Sequence, residues 1–208
     1  MKKVISGVLP ENRKELAENS PTGRNLSIAL LHYPVYDKNR NLVTTAVTNL
    51  DVHDIARTAK TYGLYRYYVV TPLDDQQELA LSIINHWQKG YGASYNPKRK
   101  EALDLVTVTD RLEFAVGELA KEFGRPVRII ATGAKGKLAN ISYGAMARLL
   151  EDQKQTYLLL FGTGWGLVDE VLSRADYVLE PIKGHGEYNH LSVRSAAAII
   201  LDRLLGRH

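Results

Sequence analysis

The sequence predicts an α/β protein, a mostly parallel sheet with helices on both faces. Two observations lead there. Apolar runs of strand length recur along the chain, and segments with helical spacing lie between them. Strands that alternate with helices form parallel sheets buried on both sides.

Leu26 to His32 (LSIALLH) is the first strand-length run. Val52 to Gly63 has helical spacing, with Ile55, Ala56, Ala59 and Tyr62 on one side and Gly63 as its stop. Tyr67 to Val70 is a strand, followed by a helix that opens near Asp74 and runs to Trp87. Asp104 to Val108 is a strand, and Thr109-Asp110 caps a helix through Phe123. Val127 to Ala131 is a strand ending in Thr132-Gly133-Ala134, and a helix covers about Ser142 to Glu151. Tyr157 to Phe161 is the most apolar strand candidate, Tyr177 to Leu179 a short one, and His190 to Leu205 a strongly apolar final helix.

With 208 residues, 45% of them hydrophobic, the chain can bury one core. Residues 1–25 are polar and broken by Pro10, Pro21 and Gly23; they are expected to be an appendage, with a short helix near 11–19, to a domain over 26–208. No window approaches the roughly 18 apolar residues of a membrane span, so no membrane association is expected. No secretory signal is visible, and cysteine is absent. Disulfides and cysteine chemistry are thereby excluded, and a cytoplasmic setting is expected. The net charge of +4 permits an anionic partner without requiring one. Its only tight cluster, Asn96-Pro97-Lys98-Arg99-Lys100, reads as a loop.

In open parallel sheets, ligands sit beyond the carboxyl ends of the strands, which selects the turns after residues 70, 131, 161 and 179. After the most apolar strand comes Phe161-Gly162-Thr163-Gly164-Trp165-Gly166-Leu167. Glycines let the backbone approach a ligand, and exposed amides there suit an adenine edge, a carboxylate or a phosphate. A tight strand-to-helix turn explains the same residues. No Gly-Lys-Ser/Thr follows, and the even glycine spacing misses the dinucleotide fingerprint. A second segment, Glu180 to Ala198, runs from a polar glycine-bearing loop into an alanine-rich helix that Ser192 or Asn189 caps. The third is Asn49 to Ala59. Asp51, His53 and Asp54 look like metal ligands there, but the spacing supplies no further ligand, and no metal is expected. Asp51 as a helix cap is the simpler account.

Together the three segments resemble the SPOUT class of RNA methyltransferases over about residues 26–206. YLLLFGTGWGL is similar to their second motif. Glu180-Pro181-Ile182-Lys183-Gly184, with Asn189-His190-Leu191-Ser192-Val193-Arg194-Ser195-Ala196-Ala197-Ala198, is similar to their third. Arg57-Thr58-Ala59 ahead of Gly63 matches their first. TNLDVHDIARTAKTYG and EYNHLSVRSAAAIILDRL resemble, more narrowly, a branch sometimes fused to a bacterial tRNA guanine-N1 methyltransferase.

The resemblance implies a C-terminal trefoil knot. It also implies S-adenosylmethionine, held largely by backbone groups of Thr132, Gly133 and Ala134; of Phe161, Gly162, Thr163, Gly164, Gly166 and Leu167; of Leu179, Glu180, Pro181, Ile182 and Gly184; and of Tyr188, Asn189, His190, Leu191, Ser192 and Val193. It implies methylation of tRNA or rRNA by a homodimer to which the final helix contributes, which would account for that helix's apolar surface. Arg57 is the first catalytic candidate, orienting an RNA phosphate near the methyl donor. Asp51 is a candidate base for a proton on a base nitrogen, and Asn189 a candidate for positioning the acceptor. The departures are Asp51 and His53 where the best-known branch carries Asn and Gly, and Thr163 or Trp165 where the second motif carries Glu. They keep open an accessory role, binding cofactor or RNA beside a partner methyltransferase without catalysis.

Overall fold

The computed structural model describes residues 25–186 and 188–207; the expected helix near 11–19 lies outside them. Six parallel strands form the sheet: β1 (Leu26–Leu31), β4 (Tyr67–Val70), β5 (Val106–Thr109), β6 (Val127–Ala131), β7 (Thr156–Gly162) and β8 (Tyr177–Val178). Their order is β5-β4-β1-β7-β6-β8. A hairpin, β2 (Val35–Tyr36) and β3 (Leu42–Val43), follows β1.

The helices are α1 (Asn49–Thr61), α2 (Asp74–Gln88), α3 (Tyr91–Tyr95), α4 (Pro97–Leu103), α5 (Leu112–Phe123), α6 (Tyr143–Leu150), α7 (Asp169–Arg174) and α8 (Val193–Leu205). Alternate side chains of the central strands feed two cores. Leu26, Ile28 and Leu30 of β1, with Leu159 and Phe161 of β7, pack under α1, α2, α4, α6 and α8. Ala29, Leu31, Leu158 and Leu160 pack under α5 and α7. Both faces of β1 and β7 are therefore buried, which is why their sequences read as unbroken apolar runs.

Three local expectations are corrected. Thr48, not Asp51, caps α1: its Oγ1 accepts the Asp51 amide at 3.2 Å, and Asp51 falls in the first turn. Arg111, rather than Thr109-Asp110, stands at the cap of α5. The basic cluster at 96–100 is helical, not a loop. Asn96 Oδ1 accepts the Arg99 amide at 3.0 Å and Pro97 takes the first turn, where its missing N–H is no loss.

The carboxyl side of the sheet holds the threading that a C-terminal trefoil knot requires. Leu179 donates its amide to Ala131 O at 2.9 Å on one side, and Glu180 donates to Ile141 O at 3.0 Å on the other. Asn140 grips Val178 twice: its backbone amide donates to Val178 O, and its Oδ1 accepts from Val178 N, each at 2.9 Å. The connection after β6 thus passes around the chain at 178–180. That chain enters from α7, on one face, and leaves toward α8, on the other. The usual avoidance of threaded loops does not hold here.

Candidate active site

The loops at the carboxyl edge enclose an open cleft of about 1390 Å³. It is lined by Thr132, Gly133 and Ala134 after β6, by residues 161–167 after β7, by Glu180, Pro181 and Ile182 after β8, and by residues 189–194 leading into α8. Segments far apart in sequence therefore converge because three neighbouring parallel strands end at one edge. The turn after residue 70 takes no part in the lining. Its place is taken by the connection after β1, through Tyr36, Arg40, Thr45, Ala46 and Thr48.

The glycine loop is bound to that connection. Trp165 donates its amide to Tyr36 O at 2.9 Å, and Tyr36 donates to Gly166 O at 3.0 Å. At Gly164 the backbone has φ +58°, and a Cβ there would stand 2.9 Å from Tyr36 O. A Cβ on Gly162 would meet Leu167 N at 2.6 Å. Both positions require glycine because the loop folds back against its own backbone and the hairpin.

Beneath the loop lies a chain of polar contacts. Thr163 Oγ1 donates to Leu31 O at 3.0 Å and meets Thr45 Oγ1 at 2.5 Å; Thr45 Oγ1 in turn lies 3.1 Å from His32 Nδ1. Thr45 Oγ1 also lies 3.5 Å from His32 O, so its one proton is shared between two neighbouring acceptors. His32 Nε2 has no hydrogen-bond partner among the described residues. Burial pushes the His32 pKa down to about 4, against the attraction of Asp51 and the carbonyls at 45 and 46. A neutral ring therefore supports the loop.

Asp51 lines the cleft and is buried. Its carboxylate accepts from Thr48 Oγ1 at 2.6 Å and pairs with Arg194 Nη1 at 3.3 Å. Asn189 Nδ2 donates to Ala134 O at 3.1 Å and ties two walls together. Ser192, rather than Asn189, caps α8, accepting the Ser195 amide at 3.3 Å. Other predicted positions fall elsewhere. Arg57 is exposed on α1, outside the lining. Leu179 is buried in the core as part of the threaded strand, Gly184 lies in open space, and Tyr188 is exposed against His190; none of the three lines the cleft. The sequence pattern did not point to Thr45, Thr48 or Arg194. Only the Thr-x-x-Asp spacing of 48–51 carried a signal, that of a capping box.

These residues fit a ligand with an adenine-like edge and an apolar body. Among the described residues no protein acceptor takes the amide N–H of Gly133 or Ala134, and a Cβ on Gly133 would meet nothing within 4 Å. Leu167, Ile182, Leu191 and Val193 supply apolar surface beside them. The family described as SAM-dependent RNA methyltransferase matches residues 25–206. The chain belongs to that family. S-adenosylmethionine is therefore its cofactor.

The tRNA (guanine-N(1)-)-methyltransferase of Nitratidesulfovibrio vulgaris is 46% identical over 191 residues, covering 92% of this chain and 44% of that protein. The chain thus spans less than half of that relative. An uncharacterized protein of Aquifex aeolicus is 40% identical over 184 residues, covering 88% of this chain and 90% of its own length. The SpoU methyltransferase AviRb from Streptomyces viridochromogenes, solved with the cofactor AdoMet, superimposes with TM-score 0.53 at 16% identity, covering 89% of this chain and 58% of its own. That likeness shows the fold of this methyltransferase to be SPOUT.

Proposed function

We propose that this methyltransferase acts on tRNA, as a homodimer, with the acceptor presented to Asp51. The single observation carrying the proposal is that Asp51 and its partner Arg194 stand in the same cleft as the backbone suited to the cofactor. When bound, S-adenosylmethionine supplies a methyl group on a positively charged sulfur. Backbone groups of 132–134, 161–167, 180–182 and 189–193 hold it. Asp51 receives the proton that the acceptor releases, and Arg194 keeps its carboxylate oriented. Because approach to the methyl must be in line, positioning carries much of the rate. Arg57, outside the cleft of its own protomer, is proposed as a phosphate contact rather than a group at the methyl.

The support for tRNA is the name of the 46% identical relative. The final helix does not support the dimer as expected: Ala197, Ile200, Leu201 and Leu204 are buried within the protomer, against α1 and α6. Support comes instead from Leu50, 58% exposed next to Asp51, from Leu191, 46% exposed at the other wall, and from Tyr188, 79% exposed outside the lining. One specific fact favours the second reading, an accessory module beside a partner methyltransferase. The match covers only 44% of the named relative, whose remaining length is free to carry the named chemistry.

Calorimetry with S-adenosylmethionine and transfer of labelled methyl to unmodified tRNA separate the readings. Asp51→Asn is expected to keep cofactor binding and lower transfer by about 100-fold or more. Cofactor binding with no transfer by the unaltered protein supports the accessory module. Arg57→Ala with full transfer removes Arg57 from the mechanism, and a monomeric mass by light scattering removes the dimer.

A further inference from the structure

The region farthest from explanation by the cleft is the insertion between β4 and β5. From Leu79 to Lys100 the sequence has no Asp or Glu, while Lys89, Lys98, Arg99 and Lys100 supply four cations. This stretch folds into the second half of α2, then α3, then the start of α4. Tyr91 and Tyr95, one turn apart, lie with ring centroids 5.9 Å apart at 24°, and are 77% and 72% exposed. Trp87 packs against Gly92 of α3, where a Cβ would stand 2.6 Å from its ring, and the Arg99 guanidinium sits 4.4 Å from the centre of that ring. Among the described residues Arg99 has no carboxylate partner. Lys98 and Lys100 do have such partners, Glu101 and Asp104.

The patch continues onto α1, which packs against α4. The His53 ring meets the Trp87 ring edge-on at 5.6 Å. Burial first, then Arg99 and Arg57, lower the His53 pKa, so both guanidiniums lie within electrostatic reach of that ring. Along α1, Asp51 lines the cleft and Arg57 follows six residues later, about 9 Å farther along the helix axis. One strand of nucleic acid can therefore touch both places.

Exposed tyrosines or lone arginines are ordinary surface residues. Two stacked rings and the Arg99 guanidinium in a stretch without acids, flanked on α1 by Arg57 and by Asp54, are the ingredients of a single-strand nucleic-acid platform. We infer that Tyr91, Tyr95, Arg99 and Arg57 form the docking surface for an unpaired stretch of the RNA substrate, with bases on the tyrosine rings and phosphates on the guanidiniums. The inference rests on RNA being the substrate, as the family description states.

The test measures binding of labelled unmodified tRNA by fluorescence anisotropy to the full chain across a salt series. The Tyr91→Ala/Tyr95→Ala double variant is expected to bind about 10-fold more weakly, and Tyr91→Phe/Tyr95→Phe to bind normally, because the stacking face remains. Arg99→Gln is expected to reduce the slope of log affinity against log salt by about 0.7, one phosphate contact on a single strand. S-adenosylmethionine affinity is expected to be unchanged in all three. Unchanged RNA affinity in the alanine double variant overturns the platform while leaving the methyltransferase reading intact. So does a change in oligomeric mass in place of RNA affinity, which makes the patch a protein interface. Failure of the unaltered protein to bind RNA overturns both.

Discussion

Replacing His32 by Gln tests whether a neutral, buried ring supports the cofactor loop. His32 is fully buried, and its pKa is lowered from 6.5 to about 4. That lowering corresponds to roughly 3 kcal/mol between protonation states. The sign follows from which state takes up the proton. Above pH 6.5 both folded and unfolded chains hold a neutral ring. As pH falls from 6.5 to 4 the unfolded chain binds a proton and the folded chain resists it, so stability falls; below 4 the loss levels off. His32→Gln keeps a donor toward Thr45 and removes the titration. Urea unfolding at pH 7.5 and at pH 4 is expected to show the unaltered protein losing about 3 kcal/mol more than the variant. Carboxylates titrating in the same range cancel in that difference. Parallel stability curves for the two proteins refute the buried neutral ring.

Gly164→Ala is expected to weaken S-adenosylmethionine binding by at least about 10-fold, since the left-handed backbone costs about 1–2 kcal/mol for alanine and the new Cβ meets Tyr36 O at 2.9 Å. Gly133→Ala is expected to leave stability within about 0.5 kcal/mol, because its Cβ meets nothing, yet to weaken cofactor binding by filling cleft space; undiminished calorimetric affinity in both variants places the cofactor elsewhere. Arg66, whose side chain is 4% exposed, pairs with Glu118 at 2.6 Å, and Glu118 also accepts from Tyr68 at 3.0 Å. Glu122 pairs with the same guanidinium at 3.3 Å, so the Glu118→Ala/Glu122→Ala double variant is what strands that buried charge; it is expected to cost about 3 kcal/mol, more than Arg66→Met, after which the 32% and 30% exposed carboxylates rehydrate. Equal urea midpoints contradict this asymmetry.

The sheet was legible because parallel strands buried on both faces print continuous apolar runs, as in LSIALL and TYLLLFG. The hairpin after β1 left no such trace. Val35–Tyr36 and Leu42–Val43 pair over two residues each, and Leu42 is exposed, so no period develops. At α4 the charge run outweighed the Asn-Pro start signal and read as a loop. On α8 the apolar stripe was visible but its partner was not: a face that fits a second copy equally fits α1 and α6, and only the packing decides.

The same division runs through the site. Binding by backbone needs glycines and small residues in local order, and these are sequence properties; Gly162 carries its reason at Leu167, a few residues on, whereas a Cβ on Gly164 would meet Tyr36 O of the distant hairpin. The Asp51 side of the cleft is built from side chains that only the fold brings together. Arg194 reaches Asp51 across 143 positions, and Thr163 reaches Thr45 across 118. Neither pairing has a spacing that a linear pattern can express. Thr45 stands in the polar connection after β1, where no period marks it, yet it joins the loop to His32. Thr163 or Trp165 stands where the resemblance leads one to expect an acid in the loop, and the structure shows the Thr163 hydroxyl turned to Leu31 O and Thr45. A carboxylate at that position would accept only, and could not donate to Leu31 O. Threonine there keeps a donor for the strand end and meets Thr45, which in turn contacts His32. Of the acids that line the cleft, Asp51, Asp169, Glu170 and Glu180, Asp51 is the buried one, held by Thr48 and Arg194 on the α1 side.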